Sequence, residues 1–308
     1  MPESTASVRS RILAAVLART LRPLADRMPA HGIGLAATRA LFDLTGRITP
    51  APAVARQRDR GGVWIGDPAQ ATEGVVLYLH GGGFVFGSAT SHRALVAELC
   101  SRTGRPVYVP EYGRAPEHSS EQMRADVLDA YTGLLARGVT ARRIIVAGDS
   151  AGGYLAAELL TGLARSGTDG PGGVVLYSPF LDMSVAGAIE RDRIHRDPFA
   201  SPRYARRCAA NRTGTEIAES AELYRNPAHW PPTQIHVGGT ECLLGDANVL
   251  AMALSARGVP VDFRVWPGQV HVFPGLAAFI PEGKRALVET ADFIRTRLAG
   301  SGPARLVG

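Results

Sequence analysis

Six apolar runs punctuate the chain from residue 75 onward: "VVLYL" (75–79), "RPVYVPEY" (105–112), "RIIVAG" (143–148), "GGVVLYS" (172–178), "TQIHVGG" (233–239) and "VDFRVW" (261–266). Continuous rather than alternating runs predict strands buried on both faces of a parallel sheet. Helical stretches fill the intervals, over roughly 90–102, 119–137, 151–165, 246–257 and 283–299, with Gly138 and Gly258 as C-terminal stops. Ahead of them, "AVARQ" and "GVWIG" predict two short antiparallel strands joined by a turn at Asp59–Gly62. The sum is an α/β chain with a mostly parallel sheet of about eight strands and helices on both faces.

Two stretches break this rhythm. Residues 182–230 carry helix fragments and no convincing strand, where a short crossover would suffice; long insertions of this kind are often functional lids. Near the start, "SVRSRILAAVLARTLRPLADRM" sets Leu13, Leu17, Leu21 and Leu24 on one helical face among arginines. Such a segment can be a transit peptide or lie on a membrane. No secretory h-region or small-residue cleavage site follows, which favours a helix packed on its own domain. The tail "GSGPARLVG" reads as frayed.

Composition narrows the classes. With 308 residues, 45% apolar and 20% charged, the chain suits one large globular domain. No segment reaches the roughly 18 apolar residues of a membrane span, so no stable membrane insertion is expected. The net charge is +6, but only Lys284 of the 34 basic residues is a lysine, and the arginines are scattered. They cluster loosely at the N-terminus and between Arg191 and Arg212, without a recognition motif, which argues against nucleic acid as partner. Cys100, Cys208 and Cys242 form no disulfide or zinc pattern, and a reducing, cytoplasmic setting is expected.

The chemistry begins at "GDSAGG" (148–153), which follows one predicted strand and opens a helix. G-x-S-x-G in that setting makes a turn so tight that only glycine fits at Gly148 and Gly152, and it projects the Ser150 hydroxyl at the C-terminal edge of the sheet. A serine needs a base. His271, in "WPGQVHVF", falls on a loop at that same edge, where catalytic groups of open α/β sheets gather. His31, His92, His118, His195 and His229 fall elsewhere and read mostly as surface or structural residues. A carboxylate must orient the imidazole. The loop "TECLLGDA" offers Glu241, directly after a strand, and Asp246, which could instead cap the next helix; Asp182 is a more distant third. The loop "HGGGFVFG" (80–87) has no lysine and no nucleotide-binding context. Its glycines fit an oxyanion hole, with the N–H groups of Gly82 and Gly83 joined by that of Ala151. His80 reads as a structural anchor of that loop.

"HGGGF", "GDSAGG", "YGRAPEH" (112–118), an acid loop and "HVF" occur in the order of the hormone-sensitive-lipase-like family of α/β-hydrolase esterases, which this chain resembles from about residue 54 to 299. The acid-to-histidine separation, 271 − 241 = 30 residues, is similar to the family's, against 271 − 246 = 25 for Asp246. The resemblance implies an α/β-hydrolase core of about 51–181 and 231–300 in a single domain, with a helical cap built from about 1–50 and 182–230. It implies a serine carboxylesterase acting on short- to medium-chain acyl esters, with no cofactor or metal, and a homodimer through edge strands or the last helix. Two features depart from the family: a glutamate stands where an aspartate is usual, and "YGRAPEHSSE" replaces a proline-richer "YRLAPEHPFP". Acyl transfer, amide cleavage and a binding protein that has lost its chemistry remain as alternatives to hydrolysis. If His271 is the base, activity falls below about pH 6.5–7. Arg193, Arg206 and Arg207 read as a solvated helix face rather than an anion-attracting patch.

Overall fold

The computed structural model describes residues 6–211, 227 and 230–300. The tail from residue 301, which the sequence expects to fray, and His229 and residues 212–226 of the expected lid lie outside the described residues.

The eight strands are β1 (Arg56–Asp59), β2 (Gly62–Ile65), β3 (Val75–Leu79), β4 (Val107–Pro110), β5 (Ile144–Asp149), β6 (Gly173–Tyr177), β7 (Thr233–Gly238) and β8 (Val261–Trp266). They form one sheet in the order β1-β2-β4-β3-β5-β6-β7-β8. The β1/β2 hairpin and the β2/β4 pair are antiparallel, and all remaining pairs are parallel. The hairpin turn lies at Asp59–Gly62 as the sequence predicts, although β1 begins at Arg56 rather than at residue 53. Central strands β3 to β7 are buried along their whole length, matching their continuous apolar runs. The run at β8 is the exception. It ends the sheet, and Arg264 and Val265 face solvent, so an apolar run here marks an edge strand covered on one side only.

Helices α4 (Arg93–Thr103), α5 (Ser120–Ala136), α6 (Ala151–Ser166), α9 (Leu244–Ala256) and α10 (Pro281–Ala299) flank the sheet. Two apolar clusters, one on each face, form the core. One gathers Leu77, Leu79, Tyr154, Leu155 and Leu176; the other gathers Tyr78, Val96, Leu99, Leu287 and Ile294. A capping box at Ser119 and Gln122 starts α5, and Gly104 and Gly167 end α4 and α6 in left-handed conformation.

The remaining helices stand outside these layers: α1 (Val8–Arg19), α2 (Leu21–Ala25), α3 (Gly32–Ile48), α7 (Ala186–Ile194) and α8 (Pro202–Ala209). A buried arginine joins α2 to α7 and to the segment between α7 and α8. The Arg22 guanidinium, 2% exposed, pairs with Asp192 at 2.8 Å and Asp26 at 3.2 Å and donates to the carbonyls of Asp197 and Ala200. Arg207 adds bonds to the carbonyls of Met28, Ala25 and Asp26 and lies over the Tyr204 ring. Arg193, by contrast, is exposed and paired with Glu190 of its own helix, and Arg206 is exposed. Among the described residues no helix is long and apolar enough to cross a membrane.

Candidate active site

Strand β5 delivers Ser150 to the C-terminal edge of the sheet, between Asp149 and the first turn of α6. Its backbone sits at φ 50°, ψ −118°, a strained region for a residue with a side chain. The glycines on either side explain why the strain persists. A Cβ on Gly152 would lie 1.9 Å from the Leu79 carbonyl oxygen, and one on Gly148 would lie 2.7 Å from that of Gly152. Tight packing of the turn against the end of β3 leaves the serine no relaxed alternative.

The end of β3 runs into the glycine loop. Gly82 (φ 119°) and Gly83 (φ 57°) occupy left-handed backbone, and a Cβ on Gly82 would meet the Phe86 carbonyl at 2.2 Å. The Gly82 carbonyl accepts from Val85 and Phe86, which folds the loop back on itself. The N–H groups of Gly82, Gly83 and Ala151 donate to no acceptor among the described residues. His80 anchors the loop from below. It is buried, stacks on Tyr112 at 4.3 Å, and approaches the Gly81 carbonyl through Nδ1 at 2.9 Å. Burial and the neighbouring His92 push its pKa down to about 3, so it stays neutral. The "YGRAPEH" segment braces the same loop: Tyr112 donates to the His80 carbonyl, Arg114 to the Gly87 carbonyl, and Ala115 N–H to the Phe84 carbonyl.

On the other side of Ser150, His271 follows β8 and Glu241 follows β7. The His271 Nδ1 lies 2.7 Å from Glu241 Oε2. Glu241 is fully buried, and its second oxygen accepts from the Ser178 hydroxyl at 2.7 Å and from the Gly238 N–H. Ser178 in turn accepts from the Val272 N–H at 3.0 Å, so one hydroxyl ties the acid to the histidine loop. Arg191 of α7 holds the acid loop from outside, through the carbonyls of Glu241 and Gly239. Burial disfavours the imidazolium at His271, but the hydrogen bond and charge of Glu241 outweigh it and raise its pKa.

Asp246 is not brought to the histidine. Its Oδ2 accepts the N–H groups of Leu181 and Asp182 at 2.7 and 2.8 Å, and burial pushes its pKa up to about 6. It is a buried brace for the loop after β6. Asp182 binds Ser184 of its own turn.

Several site residues escape the sequence reading. Asp149 lies inside the serine motif, and its carboxylate accepts from Gly81 N–H at 3.0 Å and Tyr78 hydroxyl at 2.7 Å, with His92 Nε2 at 3.3 Å. Burial opposes its charge, yet His92 and these donors hold its pKa below the ordinary value; His92 is raised in return. The residue beside the serine therefore positions the glycine loop. Ser178, at φ 49°, and Asp197, which accepts the Cys242 N–H at 2.8 Å, were also unread.

A serine on a strained strand-to-helix turn, glycine amides with no acceptor among the described residues, and a carboxylate-bound histidine thus all follow the C-terminal ends of strands of one sheet. A profile for the α/β-hydrolase fold matches residues 76–275, a span that contains all of them. The chain belongs to the α/β-hydrolase fold family. Within it, the enzyme is 38% identical over 240 residues to esterase LipU of Mycobacterium tuberculosis, covering 74% of this chain and 80% of that protein. It is also 38% identical to the carboxylesterase/phospholipase LipF of the same organism over 74% of this chain, and spans 63% of LipF's length. The crystal structure of an esterase from the bacterial hormone-sensitive lipase family superposes with a TM-score of 0.83 at 28% identity, over 96% of this chain and all of that one. The enzyme accordingly joins the hormone-sensitive-lipase-like esterases and is a carboxylic-ester hydrolase.

Proposed function

We propose that the enzyme hydrolyses short- to medium-chain acyl esters through a Ser150–His271–Glu241 triad and an acyl-enzyme. Ser150 Oγ attacks the ester carbonyl carbon while its proton passes to His271 Nε2. The carbonyl oxygen, now negative, is held by the N–H groups of Gly82, Gly83 and Ala151, each worth about 3 kcal/mol in the transition state. Collapse breaks the ester C–O bond, and His271 returns the proton to the leaving alcohol. Water then attacks the acyl-enzyme with His271 again as base, releasing the carboxylic acid and restoring the serine. The reading rests above all on the 2.7 Å bond between Glu241 and His271 Nδ1, because a carboxylate partner places the proton of the neutral imidazole on Nδ1 and leaves Nε2 able to take one.

The N-terminal helices and the described residues of the 182–230 stretch act as the cap. The Arg22 network supports this, as does the approach of Cys208 in α8 to Gly83, where an added Cβ would meet Sγ at 2.8 Å. Three buried, unpaired cysteines favour a reducing setting such as the cytoplasm. The exposed edge of β8 offers a homodimer an edge-to-edge route, which light scattering tests.

Hydrolysis of p-nitrophenyl esters from acetate to palmitate, beside Ser150→Ala, tests the reaction. Activity on the shorter chains that vanishes in the variant is expected. A wild type inert on every ester, yet labelled at Ser150 by a fluorophosphonate, would keep the triad and overturn the substrate class. Absence of both would overturn the enzymatic reading.

A further inference from the structure

The catalytic machinery leaves one large feature unused. Among the described residues, nine of the sixteen large apolar side chains most exposed to solvent belong to residues 8–48: Val8, Ile12, Val16, Leu21, Leu24, Ile33, Leu41, Leu44 and Ile48. They are not scattered. At about 100° of rotation per helical residue, Ile33, Leu41, Leu44 and Ile48 fall within one quadrant of α3, with the exposed Ala37 between them. Ile33 is 91% exposed and Ile48 71%. Val8, Ile12 and Val16 form a second stripe along α1, four residues apart each time.

Neither stripe serves the fold. Helix α1 is fixed by its opposite face: Ser7 and Ser10 bond to Glu282, and Leu17 packs with Val270 and Phe273. Helix α3 is likewise held from within, by the buried Leu35, by the close approach of Gly46 to the Thr90 backbone, and by Arg39, which donates to the Val85 and Ala115 carbonyls. The two helices are positioned firmly while their apolar stripes look outward.

Among the described residues of this segment, the exposed charges have one sign. Arg9 and Arg11 flank the α1 stripe on its two sides, Arg19 lies in line with it, and Arg47 borders the α3 stripe; all are exposed, as is Arg27. No acidic residue among the described residues of this segment is exposed. Asp26 is occupied by Arg22, Arg196 and Ser201, and Asp43 by Ser88. Glu117, which reaches this segment, is gripped by both terminal nitrogens of Arg39.

We propose that the outer faces of α1 and α3 dock the enzyme peripherally on a membrane surface rich in anionic phospholipid. Apolar side chains on a fixed helix enter the boundary of the acyl region, and arginines beside them reach the lipid phosphates; this is the pattern of interfacial helices. A second copy of the chain is the less fitting occupant, since a two-fold contact would set arginines against arginines. The surface is independent of the triad. It also adjoins the site, because Arg39 and Phe42 of α3 contact the glycine loop at Val85 and Phe86.

Co-sedimentation of the full chain tests this. One set of vesicles is phosphatidylcholine alone; the other is equal parts phosphatidylglycerol and phosphatidylcholine. The enzyme is expected to pellet with the anionic vesicles, weakly with the neutral ones, and less at high salt. Each of Arg9→Gln, Arg11→Gln and Arg47→Gln should lower the partition about fivefold. Ile33→Glu with Ile48→Glu should abolish it while hydrolysis of a soluble p-nitrophenyl ester stays unchanged, which shows that the variant is folded. Failure to pellet with anionic vesicles, equal binding to both sets, or equal binding by the variants would overturn the proposal. So would a wild-type dimer in solution that Ile33→Glu with Ile48→Glu turns into a monomer, since a second copy would then own the stripe.

Discussion

Replacing Glu241 by glutamine probes the proposed triad most sharply, because the surroundings dictate how the amide must sit. Oε1 of Glu241 accepts from two donors, the Ser178 hydroxyl and the Gly238 N–H. A backbone N–H cannot accept, so the glutamine oxygen must take that position and the NH2 must face His271 Nδ1, where Oε2 stands 2.7 Å away in the wild type. Nδ1 then has to accept, the ring proton moves to Nε2, and the atom that should receive the Ser150 proton is already occupied. Exchange of a triad carboxylate for its amide costs about 10⁴ in kcat, or about 5.5 kcal/mol at 1.36 kcal/mol per decade. The expected result for Glu241→Gln is a fall of about 10³–10⁴ in kcat with KM little changed. The acid limb of kcat/KM should also move down in pH, since the carboxylate that raises the His271 pKa is gone. Steady-state kinetics over pH, with near-ultraviolet circular dichroism as a check on folding, measures both. A loss smaller than about tenfold in a folded variant would refute the tautomer argument.

Four further outcomes are expected. In the wild type, the acid limb of kcat/KM should lie above the ordinary histidine value of about 6.5, because the folded pKa of His271 is raised; the ion-pair stability is complete below that value and fades as pH rises through the folded pKa. Asp246→Asn should keep near-normal kcat, since an amide oxygen can still accept from Leu181 and Asp182. Asp246 titrates near 6 when folded and near 4 when unfolded, so wild-type stability falls as pH rises between them, and thermal melts of the variant should show that slope flattened. Arg22→Ala strands Asp192 and two carbonyls and should cost about 3–5 kcal/mol in urea unfolding. Asp149→Ala releases Gly81 and should lower kcat about 10–100-fold in ester assays, because an oxyanion donor is worth at most about 10³.

The layers of the fold were legible because burial on both faces writes itself into consecutive residues. β3, β5, β6 and β7 fall within a residue or two of their apolar runs. β8 shows the limit of that signal: "VDFRVW" carries Asp262 and Arg264, whose polarity marks the outer side of an edge strand. The glycine pattern was legible for a steric reason. Positions 148 and 152 tolerate no Cβ, so the sequence has to record the turn. Boundaries were less so. Helix α4 starts at Arg93, after a turn built by Ser88 and Ser91, and not at residue 90.

What stayed hidden was partnership across the sheet. Chain order and spacing favour Glu241 over Asp246 without explaining the preference; the explanation is that Asp246 is already engaged by two amides after β6. The same holds for Arg22, whose neighbours in sequence read as an ordinary amphipathic helix while its partners other than Asp26 lie 170 to 178 residues away. It holds for Asp149 too. Its place beside Ser150 was visible, but its bonds to Gly81, Tyr78 and His92 join three separate segments. The consequence is mechanical. The Ser150 turn and the glycine loop are covalently 68 residues apart, counted from Asp149 to Gly81, yet one buried carboxylate ties them together. The proposed triad would draw on loops after β5, β7 and β8 and needs such ties, because no periodicity within any one strand can set the distance between two of them.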